Sequence, residues 1–297
     1  MTSSNPSALL TPLFNHTYPR GTQAFADVVQ QNVQQALTED IGNGDITASL
    51  IPATKQTSAS IISREIAIIC GMDWVNACFR QLDNNIQIYW HVNDGDKVMP
   101  KQLLCEITGN ARALLSAERC ALNFLQILSA VATHTREYVD AIAGMKSQIL
   151  DTRKTLPGLR LAQKYAVTVG GGHNQRLALY DGILIKENHI AAAGGIAAAI
   201  AQATKLNQNV SIQIEVENLD ELQQALAANA NSILLDNFTH AEMCEAVKLN
   251  NGRALLEASG NVNLSTVREI AATGVDRISV GALTKNIRAI DLSMRIK

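Results

Sequence analysis

Cysteine is scarce and scattered in this chain of 297 residues. Its five cysteines form no CxxC pair, and no histidine lies at a metal-ligand offset from any of them. Structural zinc sites and disulfide frameworks both need clustered cysteines, so the pattern argues against either. We expect buried free thiols in a reducing compartment. The five positions are Cys70, Cys78, Cys105, Cys120 and Cys244.

Long apolar runs and a basic leader are also missing. The chain starts MTSSNPSALLTPLFNHTYPRG, and its first positively charged side chain is Arg20, so the basic start of a signal peptide is not visible. No uninterrupted apolar run is long enough to cross a bilayer. We expect a polar leader over residues 1–22, no membrane partner and a cytoplasmic protein.

The chain has no excess of positive charge. It carries 25 Lys and Arg against 27 Asp and Glu, a formal net charge of -2, and only 4% aromatic residues. Nucleic-acid binding needs a basic face and often aromatic stacking, so we expect no nucleic-acid partner. The 47% hydrophobic and 18% charged residues are ordinary for a folded enzyme, and the length allows one large barrel or two domains.

The first third of the chain predicts a small α+β domain. Residues Gln23 to Leu37 have the apolar spacing of an amphipathic helix, which ends in the glycine-containing segment EDIGNGDIT. Residues 57–115 contain short strand-like segments, separated by turns and one helix, which predict an antiparallel sheet. A long, largely buried helix follows over residues 115–144. Arg119 lies at its head, where it is expected to form an ion pair or to face an anion.

The rest of the chain is periodic. Strand-like segments are centred near residues 150, 184, 213, 234, 255 and 278, and most are separated by helix-like segments. This alternation predicts a parallel β/α sheet or barrel. No GxGxxG follows a first strand, which argues against a dinucleotide-binding sheet.

Charged residues and glycines fall at the predicted carboxyl end of each strand. In a β/α barrel these ends form one rim, where active sites lie, so we expect a shared functional rim. The residues at these ends are Asp151, Arg153 and Lys154, then Lys186, then Glu215 and Glu217, then Asp236, then Glu257, then Gly281.

Positive charge is concentrated between Asp151 and Ile190. Such cations need an anionic partner when they lie inside a folded protein, and arginine binds planar carboxylates through two hydrogen bonds. Two glycine turns, Ser259–Asn261 and Gly281–Thr284, follow the last two strands and predict a phosphate site. The cations of the stretch are Arg153, Lys154, Arg160, Lys164, Arg176 and Lys186, and its acids are Asp151, Asp181 and Glu187.

Together these segments resemble the quinolinate phosphoribosyltransferase family. The motifs that carry the resemblance are EDIGNGDIT, AERCALNFLQILSAVAT, DTRKTLPGLR, GGGHNQRLALYD, LIKENHI, EVEN, LLDNF, EASGN and ISVGALT. The resemblance implies transfer of a phosphoribosyl group from phosphoribosyl pyrophosphate to quinolinate in NAD biosynthesis, with release of pyrophosphate and CO2. It also implies an N-terminal open-faced α+β sandwich over residues 23–121, joined by a tail of residues 288–297. An incomplete β/α barrel is implied over residues 122–287.

The resemblance further assigns roles to single residues. Arg153, Lys154, Arg176 and Lys186 would hold the quinolinate carboxylates and the pyrophosphate, with Thr152 and Gln175 as further substrate contacts. Arg119 would reach the site from the second subunit of a homodimer. Glu215 and Asp236 would face the ribose and its Mg²⁺, and with Lys154 and Lys186 they form the expected catalytic set. The 5′-phosphate would be bound by the backbone of Ser259, Gly260 and Asn261 and of Gly281, Ala282 and Leu283.

Two positions depart from the family pattern. Gln175 stands where the family usually has histidine, and Ala178 where it usually has glycine. Three other readings stay open at this point. Lys186 could be the Schiff-base nucleophile of a lyase. The barrel could sense a dicarboxylate or phosphosugar without turnover, or the protein could be a paralogue that uses another heteroaromatic acid.

Overall fold

The structure is a computed structural model that describes residues 17–206 and 210–297. The described chain forms two compact units, each built from several stretches of sequence. We call them the sheet unit, with residues 17–136, 155–171 and 284–297, and the barrel unit, with residues 137–154 and 172–283. Most of the expected polar leader, residues 1–16, lies outside the described residues.

The sheet unit contains a four-stranded antiparallel sheet. Its order is β12-β1-β5-β3, so the C-terminal strand lies at one edge, beside β1. The strands are β1 (Gln56–Ser63), β3 (Gln87–Trp90), β5 (Leu103–Asn110) and β12 (Leu292–Ile296), while β2 (Ala67–Ile68) and β4 (Lys97–Val98) form a separate short pair.

Helices pack around an aromatic core in this unit. Phe25, Trp74 and Tyr165 come from three different helices, and their ring centroids lie 5.3 to 5.7 Å apart. The Thr22 side chain accepts a hydrogen bond at the start of the first helix, and Gly42, at φ +53°, ends it within the predicted glycine segment. The helices are α1 (Gln23–Ile41), α2 (Met72–Leu82), α3 (Ala111–Ala141) and α4 (Arg160–Val169).

Helix α3 is longer than the sequence predicted. It starts at Ala111, so Arg119 lies in its third turn and not at its head, and the predicted domain boundary after residue 121 falls inside it. Within the described chain it is the one helix long and apolar enough to cross a membrane, yet 61% of its apolar window is buried. That burial is typical of a core helix.

The barrel unit contains a six-stranded parallel sheet in the order β6-β11-β10-β9-β8-β7. The strands lie where the periodicity predicted them. They are β6 (Gln148–Leu150), β7 (Gly182–Ile185), β8 (Ser211–Val216), β9 (Ser232–Asp236), β10 (Leu255–Ser259) and β11 (Arg277–Ser279). The helices are α5 (Glu187–Ala193), α6 (Ile196–Leu206), α7 (Leu219–Ala227), α8 (His240–Asn250), α9 (Val267–Ala272) and α10 (Ala282–Lys285).

Residues 173–176, which we call the closing segment, lie between the two edge strands of this sheet, β6 and β7. His173 forms a parallel bridge with Leu150 of β6. On the other side, a Cβ at Gly182 of β7 would lie 3.2 Å from Cβ of Arg176. The sheet is therefore an incomplete β/α barrel, completed by a segment that is too irregular to be a full strand. The predicted fold class is confirmed.

Candidate active site

Successive side chains of a strand point to opposite faces, so every second side chain of the parallel strands points into the ring. A cavity of about 390 Å³ lies at the amino ends of the strands, away from the carboxyl ends that carry Lys186, Glu215 and Asp236. Gln175 and Arg176 border it from the closing segment. Strand residues that line it include Gln148, Leu150, Gln213, Ser232, Leu255 and Arg277.

Lys186 and Glu215 form an ion pair at the carboxyl ends of two adjacent strands. Lys186 follows β7 directly and caps α5, where its backbone N–H donates to Nδ1 of His189 over 3.0 Å. Its Nζ lies 3.0 Å from Oε2 and 3.3 Å from Oε1 of Glu215. The lysine side chain is 45% exposed and the glutamate 11%. The pair thus presents a cation at the mouth of the ring with an acid behind it.

Lys154 lies along the turn after β11. Strands β6 and β11 are neighbours, and the Lys154 N–H donates to Oγ1 of Thr152 over 3.0 Å. A Cβ at Gly281 would lie 3.1 Å from Cδ and 3.8 Å from Nζ of Lys154. Glycine at 281 therefore leaves room for the lysine to cross this turn. The structure brings together the predicted residues Thr152, Lys154 and Gly281.

Arg153 and Arg176 are close enough to influence each other electrostatically. Burial, and then the charge of Arg153, lower the pKa of the Arg176 guanidinium, while the charge of Asp181 opposes this shift. The Asp181 carboxylate also accepts the backbone N–H groups of Leu177 and Ala178, at 2.6 and 2.7 Å. Two arginines that act on each other in this way, beside an acid that already accepts two backbone N–H groups, suit a carboxylate ligand.

Asp236 and Ser259 are paired in register at the ends of β9 and β10. The loops that follow touch: the Asn237 N–H donates to the Ser259 carbonyl over 2.9 Å, and the Asn237 side chain donates to Oδ2 of Asp236 over 2.8 Å. Asn237, Gly260 and Asn261 all have positive φ, at 55°, 102° and 52°. Both loops therefore make tight turns at the carboxyl ends of their strands.

Glu257 is not a rim residue, which corrects the sequence-based expectation. It lies in the middle of β10, is 1% exposed, and accepts hydrogen bonds from Ser279 Oγ and, over 2.9 Å, from Gln213 Nε2. Gln175 Nε2 approaches both of its oxygens at 3.4 and 3.5 Å. Strand β10 continues two residues beyond Glu257, so this carboxylate lies inside the ring. The hydrogen bonds that it accepts there compensate its buried charge.

Both Nε2 and Oε1 of the Gln175 side chain make hydrogen bonds within the protein. Its Nε2 donates to Oε1 of Gln213 over 2.5 Å, and its Oε1 accepts the N–H of Arg176 over 2.6 Å. Asp151, another predicted strand-end charge, is fully buried and accepts from Gln175 N and Asn174 Nδ2 at 2.9 and 2.6 Å. Asp151 therefore fastens the closing segment. A contact between Gln175 and a substrate stays a prediction.

Restoring histidine at this position tests the role of Gln175. A protonated imidazole at 175 makes a charge-assisted hydrogen bond, worth roughly 1 kcal/mol more than a neutral one. We expect Gln175→His to lower the KM for quinolinate about fivefold. Ala178→Gly changes the other departing position and serves as the control, with an unchanged KM expected. No decrease in the histidine variant would count against a substrate contact at 175.

Several other predicted residues lie on elements other than the ring strands. Glu217 is exposed, and its N–H donates to Glu221 at the start of α7. Arg160 and Lys164 lie on α4, which belongs to the sheet unit. Leu283 is buried and its N–H donates to the Val280 carbonyl over 3.3 Å, so Gly281 and Ala282 are the better phosphate donors of that turn.

Arg119 also belongs to the sheet unit, where it is exposed. It borders a groove of about 310 Å³ formed by α1, α3 and the turn before α4. Other residues of the groove include Asn32, Glu39, Asp40, Asn123 and Pro157.

Sequence reasoning missed Asn237 and Gln213. Asparagine tolerates positive φ better than most residues, so the pair Asp236–Asn237 after a strand was a usable signal for a tight turn. Gln213 precedes Glu215 by two residues on the same strand, and strict alternation places both on one face. The turn signal therefore points to Asn237, and strand alternation points to Gln213.

Glu215 and Asp236 place two carboxylates at the ends of adjacent strands. Asp236 lies two residues beyond Leu234, which pairs with Glu215. Among the described residues, no group of three or more histidine, cysteine, aspartate or glutamate side chains could hold a metal. Mg²⁺ commonly binds one or two carboxylates together with substrate phosphates rather than an all-protein cage.

Comparison with known proteins agrees with this geometry. The sequence matches two families, described as Quinolinate phosphoribosyl transferase, N-terminal domain, over residues 45–129, and Quinolinate phosphoribosyl transferase, C-terminal domain, over residues 131–295. A probable nicotinate-nucleotide pyrophosphorylase (carboxylating) of Bacillus subtilis is 41% identical, covering 87% of this chain and 90% of its own. A mitochondrial quinolinate phosphoribosyltransferase (decarboxylating) of Nicotiana glauca is 39% identical, covering 90% and 82%.

A solved structure shows the same fold. The nicotinate-nucleotide pyrophosphorylase from Francisella tularensis superposes with a TM-score of 0.89 at 50% sequence identity, covering 92% of this chain and 97% of that one. Family match, sequence identity and fold agree over nearly the whole chain. The protein therefore belongs to the quinolinate phosphoribosyltransferase family.

Proposed function

We infer that the protein is a carboxylating nicotinate-nucleotide pyrophosphorylase of NAD biosynthesis. It converts quinolinate and phosphoribosyl pyrophosphate to nicotinate mononucleotide, pyrophosphate and CO2. The observation that carries this inference is that the charge of Arg153 acts on the half-buried Arg176 guanidinium, whose pKa is lowered first by burial and then by that charge. Such a pair suits the two adjacent carboxylates of quinolinate, because each arginine can donate two parallel hydrogen bonds to a carboxylate and a lysine cannot.

Lys154 and Lys186 supply the charges for the second anion. Lys154 crosses the turn at Gly281, and Lys186 lies at the rim beside Glu215. Both are exposed enough to meet a pyrophosphate group as it enters and leaves. We assign the 5′-phosphate to backbone N–H groups of Gly260 and Asn261 on one loop and of Gly281 and Ala282 on the other. This assignment is supported by the positive φ of Gly260 and Asn261.

The bond changes need little more than positioning and charge. The pyridine nitrogen of quinolinate forms a bond to the anomeric carbon of the ribose as the bond to pyrophosphate breaks. Glu215 and Asp236 stabilise the positive charge that develops on the sugar. The nitrogen is then cationic and holds the electron pair left when the neighbouring carboxylate leaves as CO2. A proton replaces that carboxylate on the ring carbon, and nicotinate mononucleotide results.

We propose that Mg²⁺ enters with phosphoribosyl pyrophosphate and that Glu215 and Asp236 help to hold it. When bound, the ion neutralises charge on the leaving pyrophosphate. Lys186 would compete with the ion for Glu215, because its Nζ already lies 3.0 Å from that carboxylate. Asp236 is therefore the better candidate for the direct contact.

The ion pair of Lys186 disfavours the Schiff-base alternative. A Schiff-base lysine must present a neutral amine, which needs an apolar or cationic surrounding. Here the Lys186 side chain is instead in an ion pair with the Glu215 carboxylate. The family relationship also gives no support to a lyase or to a barrel without turnover.

We propose a cytoplasmic homodimer in which Arg119 completes the active site of the second subunit. An exposed arginine beside an open groove supports a role at an interface. All five cysteines are free thiols, which agrees with a reducing compartment.

Subunit complementation tests the contribution of Arg119. Arg119→Ala and Lys186→Met should each be nearly inactive, since each lacks one part of every site. After the two are dissociated together and reassembled, half of the dimers are mixed, and each mixed dimer has one intact site. Activity should return to about a quarter of the wild-type value. Reassembly without recovery, shown by tagged subunits to contain mixed dimers, would place Arg119 in its own subunit's site.

The assay for the inferred reaction is direct. Purified protein is mixed with quinolinate, phosphoribosyl pyrophosphate and Mg²⁺, and nicotinate mononucleotide is measured by chromatography. We expect product with quinolinate and none with nicotinate as the control substrate, and we expect chelation of Mg²⁺ to stop the reaction. Turnover of nicotinate in preference to quinolinate would overturn the assignment.

A further inference from the structure

A fully buried glutamine on α4 bridges two separate segments of backbone. Gln163 is 0% exposed, and its side chain is long enough to make two hydrogen bonds in opposite directions. Its Oε1 accepts the backbone N–H of Leu156 over 2.7 Å. Its Nε2 donates to the backbone carbonyl of Thr284, also fully buried, over 2.9 Å. Both amide functions are therefore directed at main chain.

The two bridged segments continue directly from active-site residues. Leu156 lies two residues after Lys154, on the segment that leaves β6. Thr284 follows Leu283, on the segment that leaves β11. The two strands are adjacent, with Ser279 beside Leu150, and the Val280 N–H donates to the Leu150 carbonyl over 2.9 Å. The strand ladder thus fixes one end of both segments, and Gln163 fixes the other.

The helix that carries Gln163 is itself held in place. The turn before α4 is fastened at Gly158, whose carbonyl accepts Nδ2 of Asn32 over 3.1 Å. Asn32 in turn accepts the indole N–H of Trp74 over 3.1 Å. Gln163 therefore projects from a support that does not depend on the substrate.

We propose that Gln163 is a positioning residue, which sets the spacing between Thr152–Lys154 and Gly281–Leu283 and so aligns the two substrates. This proposal rests on the function inferred above. Gln163 acts through the backbone of two loops and does not touch either substrate. Because reacting atoms must be held within about an ångström of the productive geometry, small shifts of either loop cost much activity. If Gln163 only filled space, an apolar side chain of similar size could replace it without kinetic loss. A positioning role requires both of its hydrogen bonds.

Two substitutions separate the two hydrogen bonds. Gln163→Met keeps length and helix propensity but loses both. We expect kcat to fall about 30- to 100-fold and the KM of both substrates to rise. Gln163→Glu keeps the acceptor for Leu156, and its buried carboxyl group can donate to the Thr284 carbonyl only while it is protonated. In that variant we expect the KM for phosphoribosyl pyrophosphate to rise with pH, as the carboxyl group loses its proton, with a nearly unchanged KM for quinolinate.

Tyr165→Phe is the matched control, because it removes the part-buried hydrogen bond from the Tyr165 hydroxyl to Oδ2 of Asp94, at 2.7 Å, from the same helix without touching Leu156 or Thr284. It should lower the melting temperature and leave the kinetic constants unchanged. All kinetics are measured well below the lowest melting temperature of the set. Wild-type constants in Gln163→Met, or an equal kinetic loss in Tyr165→Phe, would overturn the proposal.

Calorimetry with phosphoribosyl pyrophosphate and Mg²⁺ tests the proposal independently of turnover. If the wild type binds but forms no product, the inferred reaction fails while the positioning role is still measured by binding. We then expect at least tenfold weaker binding in Gln163→Met and no change in Tyr165→Phe. Equal binding by the wild type and Gln163→Met, or no binding by the wild type, would contradict the positioning role.

Discussion

Replacing Gly260 by alanine is expected to lower kcat/KM for phosphoribosyl pyrophosphate by about 100-fold or more. Gly260 has φ +102°, and a Cβ there would lie 2.8 Å from Cγ and 3.1 Å from Cα of Asn237, with Oδ1 closer still. Alanine therefore forces apart the loops after β9 and β10. These loops carry Asp236 and the proposed phosphate donors. Steady-state kinetics with each substrate varied in turn measures the effect.

Gly252→Ala is the matched control for this change. Gly252 also has a positive φ, of +75°, but nothing lies within 4 Å of the position of its Cβ. Alanine there carries the same kind of backbone strain, about 1–3 kcal/mol, without a collision at the site. We expect both variants to melt earlier and only Gly260→Ala to lose activity. Equal kinetics in the two variants would mean that the Gly260 turn does not contact the phosphosugar.

Replacing Arg176 by methionine is expected to separate activity from stability. Arg176 is half-buried and donates to the Gly182 carbonyl over 3.0 Å, while burial and then the charge of Arg153 lower the pKa of its guanidinium. Because the lost repulsion offsets the lost hydrogen bond, removing Arg176 should change the free energy of unfolding little. Loss of a buried charge contact to a carboxylate should cost about 4 kcal/mol, which corresponds to about a thousandfold in kcat/KM for quinolinate.

Arg268→Met controls for the loss of an arginine from the same unit. Arg268 is exposed and donates to the Ala141 carbonyl over 2.9 Å. Its replacement should not change the kinetics. Arg176→Lys should recover only a small part of the lost activity, since lysine cannot make the two-pronged contact. If Arg176→Met unfolds more easily and still binds quinolinate, the two guanidiniums serve the fold and not the substrate.

The positions of the barrel strands along the chain could be predicted from the sequence because apolar segments and helices alternate with a clear period. Positions such as Lys186 and Asp236 followed, since they lie at or just beyond the last apolar residue of a strand. The family motifs added the chemistry.

Residue order alone did not separate rim charges from interior ones. Glu257 seemed to follow a strand that in fact continues to Ser259, so register decided its environment. The contact of Gly260 with Asn237 and the Gln163 bridge to Thr284 join positions far apart in sequence. Such contacts depend on the packing of neighbouring strands, which no local pattern encodes.

The release of labelled CO2 tests the central claim most directly, namely that one cluster of cations brings two polyanions within bonding distance. Quinolinate labelled in the carboxylate next to the ring nitrogen is incubated with the protein and Mg²⁺, with and without phosphoribosyl pyrophosphate. We predict one labelled CO2 for each pyrophosphate formed, and no label released when phosphoribosyl pyrophosphate is omitted. Pyrophosphate without labelled CO2, or labelled CO2 that does not depend on phosphoribosyl pyrophosphate, would contradict the account.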